Sequence, residues 1–236
     1  MSIAENVARI RAEIAEAAIA AGRDPGEILL CAATKMNDAA AVRQDIAAGV
    51  DCCGENRVQE LTQKLSENAY EGCDIHFIGH LQTNKVKQVV GKVDVIQSVD
   101  SLCLLEAIQK EAAKQGIRQD ILLEVNVGGE ESKSGFAPCE VLPLVDRFAD
   151  FPNVRLLGLM AIPPVCEKSG GNDKFFQEML ALAVDITAKK SDNVRVDVLS
   201  MGMSGDFADA VRCGSTMIRI GTAIFGARDY SKSHQA

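Results

Sequence analysis

The sequence lacks long hydrophobic runs and an excess of positive charge. No stretch of apolar residues approaches the ~20 that a bilayer-spanning helix needs, so we expect no membrane segment. The net charge is -8, from 25 Lys and Arg against 33 Asp and Glu, which provides no basic field for nucleic acid or an anionic membrane. Residues 1–9 carry an early acid and no apolar core of a signal peptide. We therefore expect a cytoplasmic protein that binds neither nucleic acid nor membrane.

The eight cysteines lack the spacing of a metal site. None belongs to a Cys-x-x-Cys pair, and we identify no set of cysteines and histidines with the spacing of a metal site. Most lie in apolar surroundings, as Cys31 does in the first predicted strand. We interpret them as reduced core thiols of an intracellular protein and expect no bound metal.

Strand and helix patterns alternate along the chain. Hydrophobic residues make up 47% of the sequence and the mean hydropathy is +0.04, which is enough for a large core. Residues 3–21 predict an amphipathic helix ahead of the first strand. Because each parallel strand needs a crossover, regular alternation without a proline-rich linker predicts a single (β/α)8 TIM barrel domain over residues 1–236, with an extra N-terminal helix. An open doubly wound sheet is the alternative. The predicted strands are 28–34, 51–54, 75–78, 93–97, 120–126, 154–159, 194–199 and 217–220.

Lys35 directly follows the first predicted strand. In an alternating strand it shares a face with Ala33 and Cys31, where its ammonium would be desolvated and its pKa lowered. A neutral amine at the carboxyl end of a strand can attack a carbonyl carbon and form a Schiff base. The alternative is a lysine that leaves the strand and points into water.

The loops after the last two predicted strands are rich in glycine and hydroxyl groups. Residues 200–206 read Ser-Met-Gly-Met-Ser-Gly-Asp, and Gly221-Thr222 follows the eighth strand. Barrels frequently bind phosphate with these two loops, although the glycines could simply make the turns. Closure of a barrel puts the eighth strand beside the first. An aldehyde that carries a phosphate would then fit both ends of the site, which predicts pyridoxal 5'-phosphate (PLP).

Arg219 falls on the same face of the eighth strand as Met217 and Gly221. If that face is the inner one, the guanidinium is buried and needs an acceptor, which the pyridine nitrogen of the cofactor could provide. Arginine keeps its proton, so that nitrogen would stay largely unprotonated and the ring would be a weak electron sink. A structural ion pair inside the barrel is the alternative.

Seven motifs span nearly the whole chain: 54–60 (Gly-Glu-Asn-Arg-Val-Gln-Glu), 76–85, 98–101, 129–136, 158–160, 199–207 and 219–226. In these motifs the sequence resembles the pyridoxal phosphate homeostasis protein family, which is similar to the amino-terminal barrel domain of alanine racemase. The resemblance implies that Lys35 holds PLP as a Schiff base and that Arg219 faces the pyridine nitrogen. It also implies that Ser200, Ser204, Gly221 and Thr222 surround the phosphate, and that Asn56 and His80 line the cup.

The sequence departs from the family pattern around some of these motifs. The run into the lysine is Ala33-Thr34-Lys35 where the family usually has Val-Ser-Lys followed closely by proline, and Gln97 stands where histidine is common. The lysine itself is retained. We therefore expect the departures to change loop geometry and to leave cofactor binding intact.

The resemblance implies a cofactor-binding protein without established catalytic turnover. Racemisation needs a base on each face of the substrate carbon, and alanine racemase takes its second base, a tyrosine, from a separate carboxyl-terminal domain. This sequence has ten residues after Gly226, and neither Tyr70 nor Tyr230 matches that tyrosine. We expect a protein that holds PLP and hands it to PLP-dependent apo-enzymes.

Two alternative functions remain open at this stage. One is a slow single-domain amino-acid racemase, and the other is a phosphate-ester barrel enzyme in which Lys35 is an electrostatic clamp. The predicted basic helix with Lys85, Lys87 and Lys92 is interpreted as a solvated face, with a second, transient cofactor site as the alternative.

Overall fold

The computed structural model describes residues 1–166, 168–189 and 191–226. Within these residues eight parallel strands pair in chain order, and β8 pairs with β1, so the barrel is closed. The predicted (β/α)8 barrel is confirmed, and the open sheet is excluded. The strands are β1 Leu29–Ala33, β2 Cys52–Glu55, β3 Asp74–Phe77, β4 Val95–Val99, β5 Gln119–Val125, β6 Val154–Ala161, β7 Val194–Ser200 and β8 Met217–Ile220.

Helices fill most of the connections, and local signals explain where they begin. The N-terminal helix begins after Ser2, whose hydroxyl accepts from the Glu5 amide while Glu5 binds back to the Ser2 amide. Asp38 and Ser101 cap two later helices in the same way, because their side chains accept amides of the first turn. The helices are α1 Ile3–Ala20, α2 Ala39–Ala47, α3 Val58–Ser66, α4 Leu102–Gln115, α5 Pro138–Val145, α6 Asp173–Thr187, α7 Phe207–Arg212 and α8 Thr222–Phe225.

The basic helix predicted after β3 is wrong. The segment forms a six-residue 3-10 helix, Thr83–Gln88, and Lys92 lies beyond it. Val86 is the buried apolar residue of this 3-10 helix, Val89 and Val90 are buried just after it, and Gly91 follows at φ 71. Such a short segment of β-branched residues ending at a left-handed glycine does not offset the cost of nucleating an α-helix. The short helix α8, in contrast, was not predicted.

The main hydrophobic core lies between the barrel and the surrounding helices. Leu30 and Ala32 of β1 belong to this outer core, whereas Cys31 packs in a small cluster inside the barrel with Met217 of β8. The alternation expected for β1 is therefore present, and its inner face leads to Lys35. Among the described residues, no helix combines the length and apolarity needed to cross a bilayer.

Candidate functional site

A cavity of about 660 Å³ opens at the carboxyl ends of β1, β2 and β8. This volume lies within the range of small-molecule sites. The β1–β8 register sets Cys31 beside Arg219, and a Cβ built on Gly221 would lie 3.4 Å from Ala33. The first and last strands therefore lie side by side and form one wall of the cavity. Six of the eight predicted site residues line the cavity: Lys35, Asn56, Ser204, Arg219, Gly221 and Thr222. Their contact with a cofactor stays a prediction.

Lys35 is presented by a tight turn. The Asn37 amide donates to the Thr34 carbonyl at 3.2 Å, and Met36 adopts φ 61 in the third position of this turn. Glycine usually fills that position, because the left-handed conformation costs another residue roughly 1–2 kcal/mol. The Glu60 carboxylate accepts the Met36 amide at 2.6 Å and helps to hold the strained turn.

A buried polar network lies directly beneath this turn. Lys64 of α3 and Glu55 of β2 form an ion pair with almost no exposed surface. The Lys64 ammonium also donates to the Thr34 carbonyl at 2.8 Å, and the Thr34 hydroxyl donates to Glu55 at 2.6 Å. The Tyr70 hydroxyl donates to the same carboxylate at 3.1 Å, and burial followed by the charge of Glu55 raises the Tyr70 pKa. Sequence reasoning missed this network because its members are far apart along the chain.

Arg219 forms the base of the cavity on the inner face of β8. Its guanidinium donates to the Ser200 hydroxyl at 2.6 Å and to the Ala161 carbonyl at 2.9 Å. Burial lowers the pKa of Arg219, but an arginine stays charged in this setting. Its burial, and the register that pairs it with Cys31, place Arg219 on the inner face of β8.

The Ser200 hydroxyl, which accepts the hydrogen bond from Arg219, belongs to a longer chain of buried hydrogen bonds. This hydroxyl donates to Gln97 at 2.7 Å, and Gln97 donates in turn to His76 Nδ1 at 2.7 Å. Burial lowers the pKa of His76 to about 4, so the ring is neutral at pH 7 and its Nδ1 can accept the hydrogen bond from Gln97. The Ser200 side chain is fully buried and does not line the cavity. Its expected contact with a phosphate stays a prediction.

The loops after β7 and β8 bring unengaged backbone donors to the cavity. Within the described part of the chain, the amides of Ser204, Gly205 and Gly221 donate to no protein acceptor. All three residues line the cavity. Main-chain amides collected from two adjacent loops are suited to bind an anionic group.

Asn56 contributes an unpaired acceptor on the opposite wall. Its Oδ1 is buried and has no hydrogen-bond partner among the described residues. Its backbone packs against Gly79, where any Cβ would lie 2.1 Å from the Asn56 carbonyl oxygen. A buried acceptor without a partner is costly in a cavity wall unless a ligand or water satisfies it.

His80 does not line this cavity, contrary to expectation. Its side chain is 62% exposed, and its Nδ1 lies 3.0 Å from a carboxylate oxygen of Asp100. Glu124 of β5 interacts electrostatically with Asp100, Arg219 and His80. Burial raises the pKa of Glu124 to about 7, and the negative charge of Asp100 adds to this effect. The positive charges of Arg219 and His80 lower the pKa but do not offset the burial. Sequence reasoning did not single out Glu124, although an acid in an apolar strand is a visible signal.

No metal site accompanies the cavity. Residues 1–166, 168–189 and 191–226 contain no group of three or more His, Cys, Asp or Glu side chains that could hold a metal ion. The described cysteines are free thiols, and Cys103, Cys139 and Cys166 are exposed rather than part of the core.

The structure combines a closed parallel barrel with a lysine after its first strand and a buried arginine on its last strand. The family model described as "Alanine racemase, N-terminal domain" matches residues 2–229. Curated relatives carry a more specific description. "Pyridoxal phosphate homeostasis protein" of Aquifex aeolicus is 41% identical over 98% of this chain and 100% of its own length. The protein of the same description from Pseudomonas aeruginosa is 42% identical over 97% of each chain. The chain belongs to the pyridoxal phosphate homeostasis protein family.

Solved structures agree with this assignment. The PipY protein of Synechococcus elongatus, determined with PLP bound, superposes with a TM-score of 0.81 at 31% identity, covering 95% of this chain and 100% of that one. The alanine racemase of Clostridium difficile superposes with a TM-score of 0.68 at 14% identity, covering 95% of this chain and 57% of that one. The second likeness concerns the fold alone.

Proposed function

We propose that this protein binds PLP in the cavity and takes part in intracellular PLP homeostasis, with Lys35 as the covalent anchor. The amine of Lys35 would attack the aldehyde carbon, form an imine and release one water. The observation that carries the proposal is the position of Lys35 on a cavity whose other walls offer a buried guanidinium and unengaged amides. The PLP-bound structure of the PipY relative supports the choice of ligand.

Each wall of the cavity matches one part of the cofactor. The amides of Ser204, Gly205 and Gly221, with the Thr222 hydroxyl, would hold the phosphate. Arg219 would donate to the pyridine nitrogen and leave it unprotonated. When bound, PLP supplies an aldehyde and a conjugated ring, and the Arg219 partner weakens that ring as an electron sink.

The described lining of the cavity favours holding the cofactor over turnover. It includes no histidine, tyrosine or cysteine. Tyr70 is engaged beneath the turn with Glu55, and Tyr230 lies outside the described residues. The two lining acids are also engaged, since Asp38 caps α2 and Glu60 accepts the Met36 amide. A second base on the far face of a substrate carbon is therefore missing among these side chains.

The wider proposals rest on the same site. We propose the described barrel as one PLP-binding domain, which hands the cofactor to PLP-dependent apo-enzymes. The cytoplasmic location and the absence of nucleic-acid and membrane partners stay predictions.

The experiment is a visible spectrum of the purified protein after incubation with PLP and removal of the free cofactor by gel filtration. A Schiff base absorbs in the visible range, so wild type should be yellow and Lys35→Ala colourless. Lys110→Ala is the matched control, because Lys110 is exposed on α4 and lies outside the cavity lining. A colourless wild type that cannot be reconstituted would contradict the proposal and favour an electrostatic role for Lys35.

A second assay separates the racemase alternative. Wild type incubated with L-alanine in deuterated buffer should show no exchange at the Cα above that of free PLP. Exchange accompanied by loss of optical rotation would instead support slow racemisation.

A further inference from the structure

The buried Lys64 of α3 has no part in the proposed binding of PLP, yet it contacts the turn that presents Lys35. Its side chain is only 5% exposed. The ammonium donates to the Thr34 carbonyl at 2.8 Å, pairs with Glu55, and lies 3.7 Å from Glu60. Three polar partners therefore converge on one buried cation.

We propose that Lys64 is a positioning residue that fixes the direction of Lys35. This inference rests on the proposed function, since it concerns how the cofactor-bearing lysine is aimed. Lys64 holds the backbone before Lys35 through the Thr34 carbonyl. Glu60, one helical turn earlier on α3, holds the backbone after it through the Met36 amide at 2.6 Å. Two side chains of helix α3 therefore hydrogen-bond to the backbone of the turn, one on each side of Lys35.

Stability alone is a poor reason for this arrangement. Replacing a buried ion pair by apolar side chains of similar volume is often neutral or stabilising. The pair nevertheless lies under a turn that keeps Met36 in a strained conformation at φ 61. Without external hydrogen bonds the turn would relax towards negative φ and redirect the preceding side chain. A network that maintains strain next to one reactive side chain is consistent with preorganisation of that side chain.

The test removes both charges together, so that no buried carboxylate is left uncompensated. We compare wild type with the double variant Lys64→Met/Glu55→Gln, in which the introduced side-chain amide retains an acceptor for Thr34 and Tyr70. Leu61→Ala is the matched control, because Leu61 is fully buried on the same helix and contacts the core rather than the turn. Its cavity should destabilise the fold without moving Lys35.

The dissociation constant for PLP separates positioning from stability. We expect the double variant to bind PLP at least about tenfold more weakly, the effect of losing a charge-assisted hydrogen bond. Leu61→Ala should bind within about twofold of wild type at temperatures well below its unfolding. Unchanged affinity in the double variant, or an equal loss in Leu61→Ala, would overturn the inference.

A second measurement does not depend on the cofactor. The Asn37 amide closes the turn by donating to the Thr34 carbonyl, so its hydrogen exchange reports turn opening. In the double variant without PLP, this amide should exchange at least about tenfold faster than in wild type and in Leu61→Ala. Unchanged exchange would overturn the inference even if PLP binds. Faster exchange in a protein that never binds PLP at Lys35 would refute the proposed function and leave the positioning of the turn intact.

Discussion

Asp45 provides a sharp test of how this barrel tolerates a buried charge. It lies on the inner face of α2 and is fully buried, and neither carboxylate oxygen has a hydrogen-bond partner among the described residues. Burial raises the pKa of Asp45 from its ordinary 3.8 to about 7. We predict that Asp45→Asn stabilises the protein at pH 8 and has little effect at pH 4.

The sign and size follow from proton linkage. Between pH 3.8 and about 7 the folded protein keeps the Asp45 proton that the unfolded chain releases. Stability in wild type therefore falls with rising pH by about 1.4 kcal/mol per pH unit from this group, reaching a loss of about 4 kcal/mol near pH 7. Asparagine has no proton to lose, so the variant lacks this contribution.

The assay is urea unfolding of wild type and variant at several values between pH 4 and pH 8. The difference in unfolding free energy between the two proteins isolates Asp45, because all other titrating groups are common to both. Asp185→Asn, which removes an exposed carboxylate on α6, is the control and should show a small difference at every pH. A difference between wild type and Asp45→Asn that does not change with pH would refute the reasoning.

Two further predictions concern the barrel wall and the site. Gly158→Ala should lower the free energy of unfolding by several kcal/mol or prevent folding, because at φ 149 the added Cβ would lie 1.8 Å from the Val198 carbonyl oxygen. Gly205→Ala is the stability control, because its Cβ would meet nothing within 4 Å. Equal urea midpoints for the two variants would contradict the prediction. Arg219→Glu should increase the Cα hydrogen exchange of L-alanine added to the PLP-loaded protein, measured by NMR in deuterated buffer, because an acid favours a protonated pyridine nitrogen and a stronger electron sink. Arg219→Lys is the control, and no increase in Arg219→Glu would contradict the proposed role of Arg219.

The fold could be predicted because its signals are local. The apolar run before Lys35 and the period of two placed Cys31 on the inner face of β1, and β8 was predicted with the bounds that the structure has. The 3-10 segment Thr83–Gln88 was predicted as a helix from its lysines alone, without the β-branched valines, the short length and Gly91 that together disfavour an α-helix.

The site was only partly predictable. Lys35 and Arg219 are chemically distinctive residues at strand ends, so their type and spacing were sufficient to bring them to one cavity. The burial of the Ser200 side chain was not predicted, because the sequence does not show that this residue at the end of a strand faces the barrel interior, where Arg219 and Gln97 engage it. The Lys64 network could not be predicted from the sequence, since it depends on how α3 packs beneath the turn.

The most direct test of the central claim is chemical trapping of the proposed imine. Wild type is reconstituted with PLP, reduced with borohydride, digested and analysed by peptide mass spectrometry. The account predicts a stable pyridoxyl adduct on the peptide that contains Lys35, located at that residue. An adduct found only on another lysine, or no adduct at all, would contradict it.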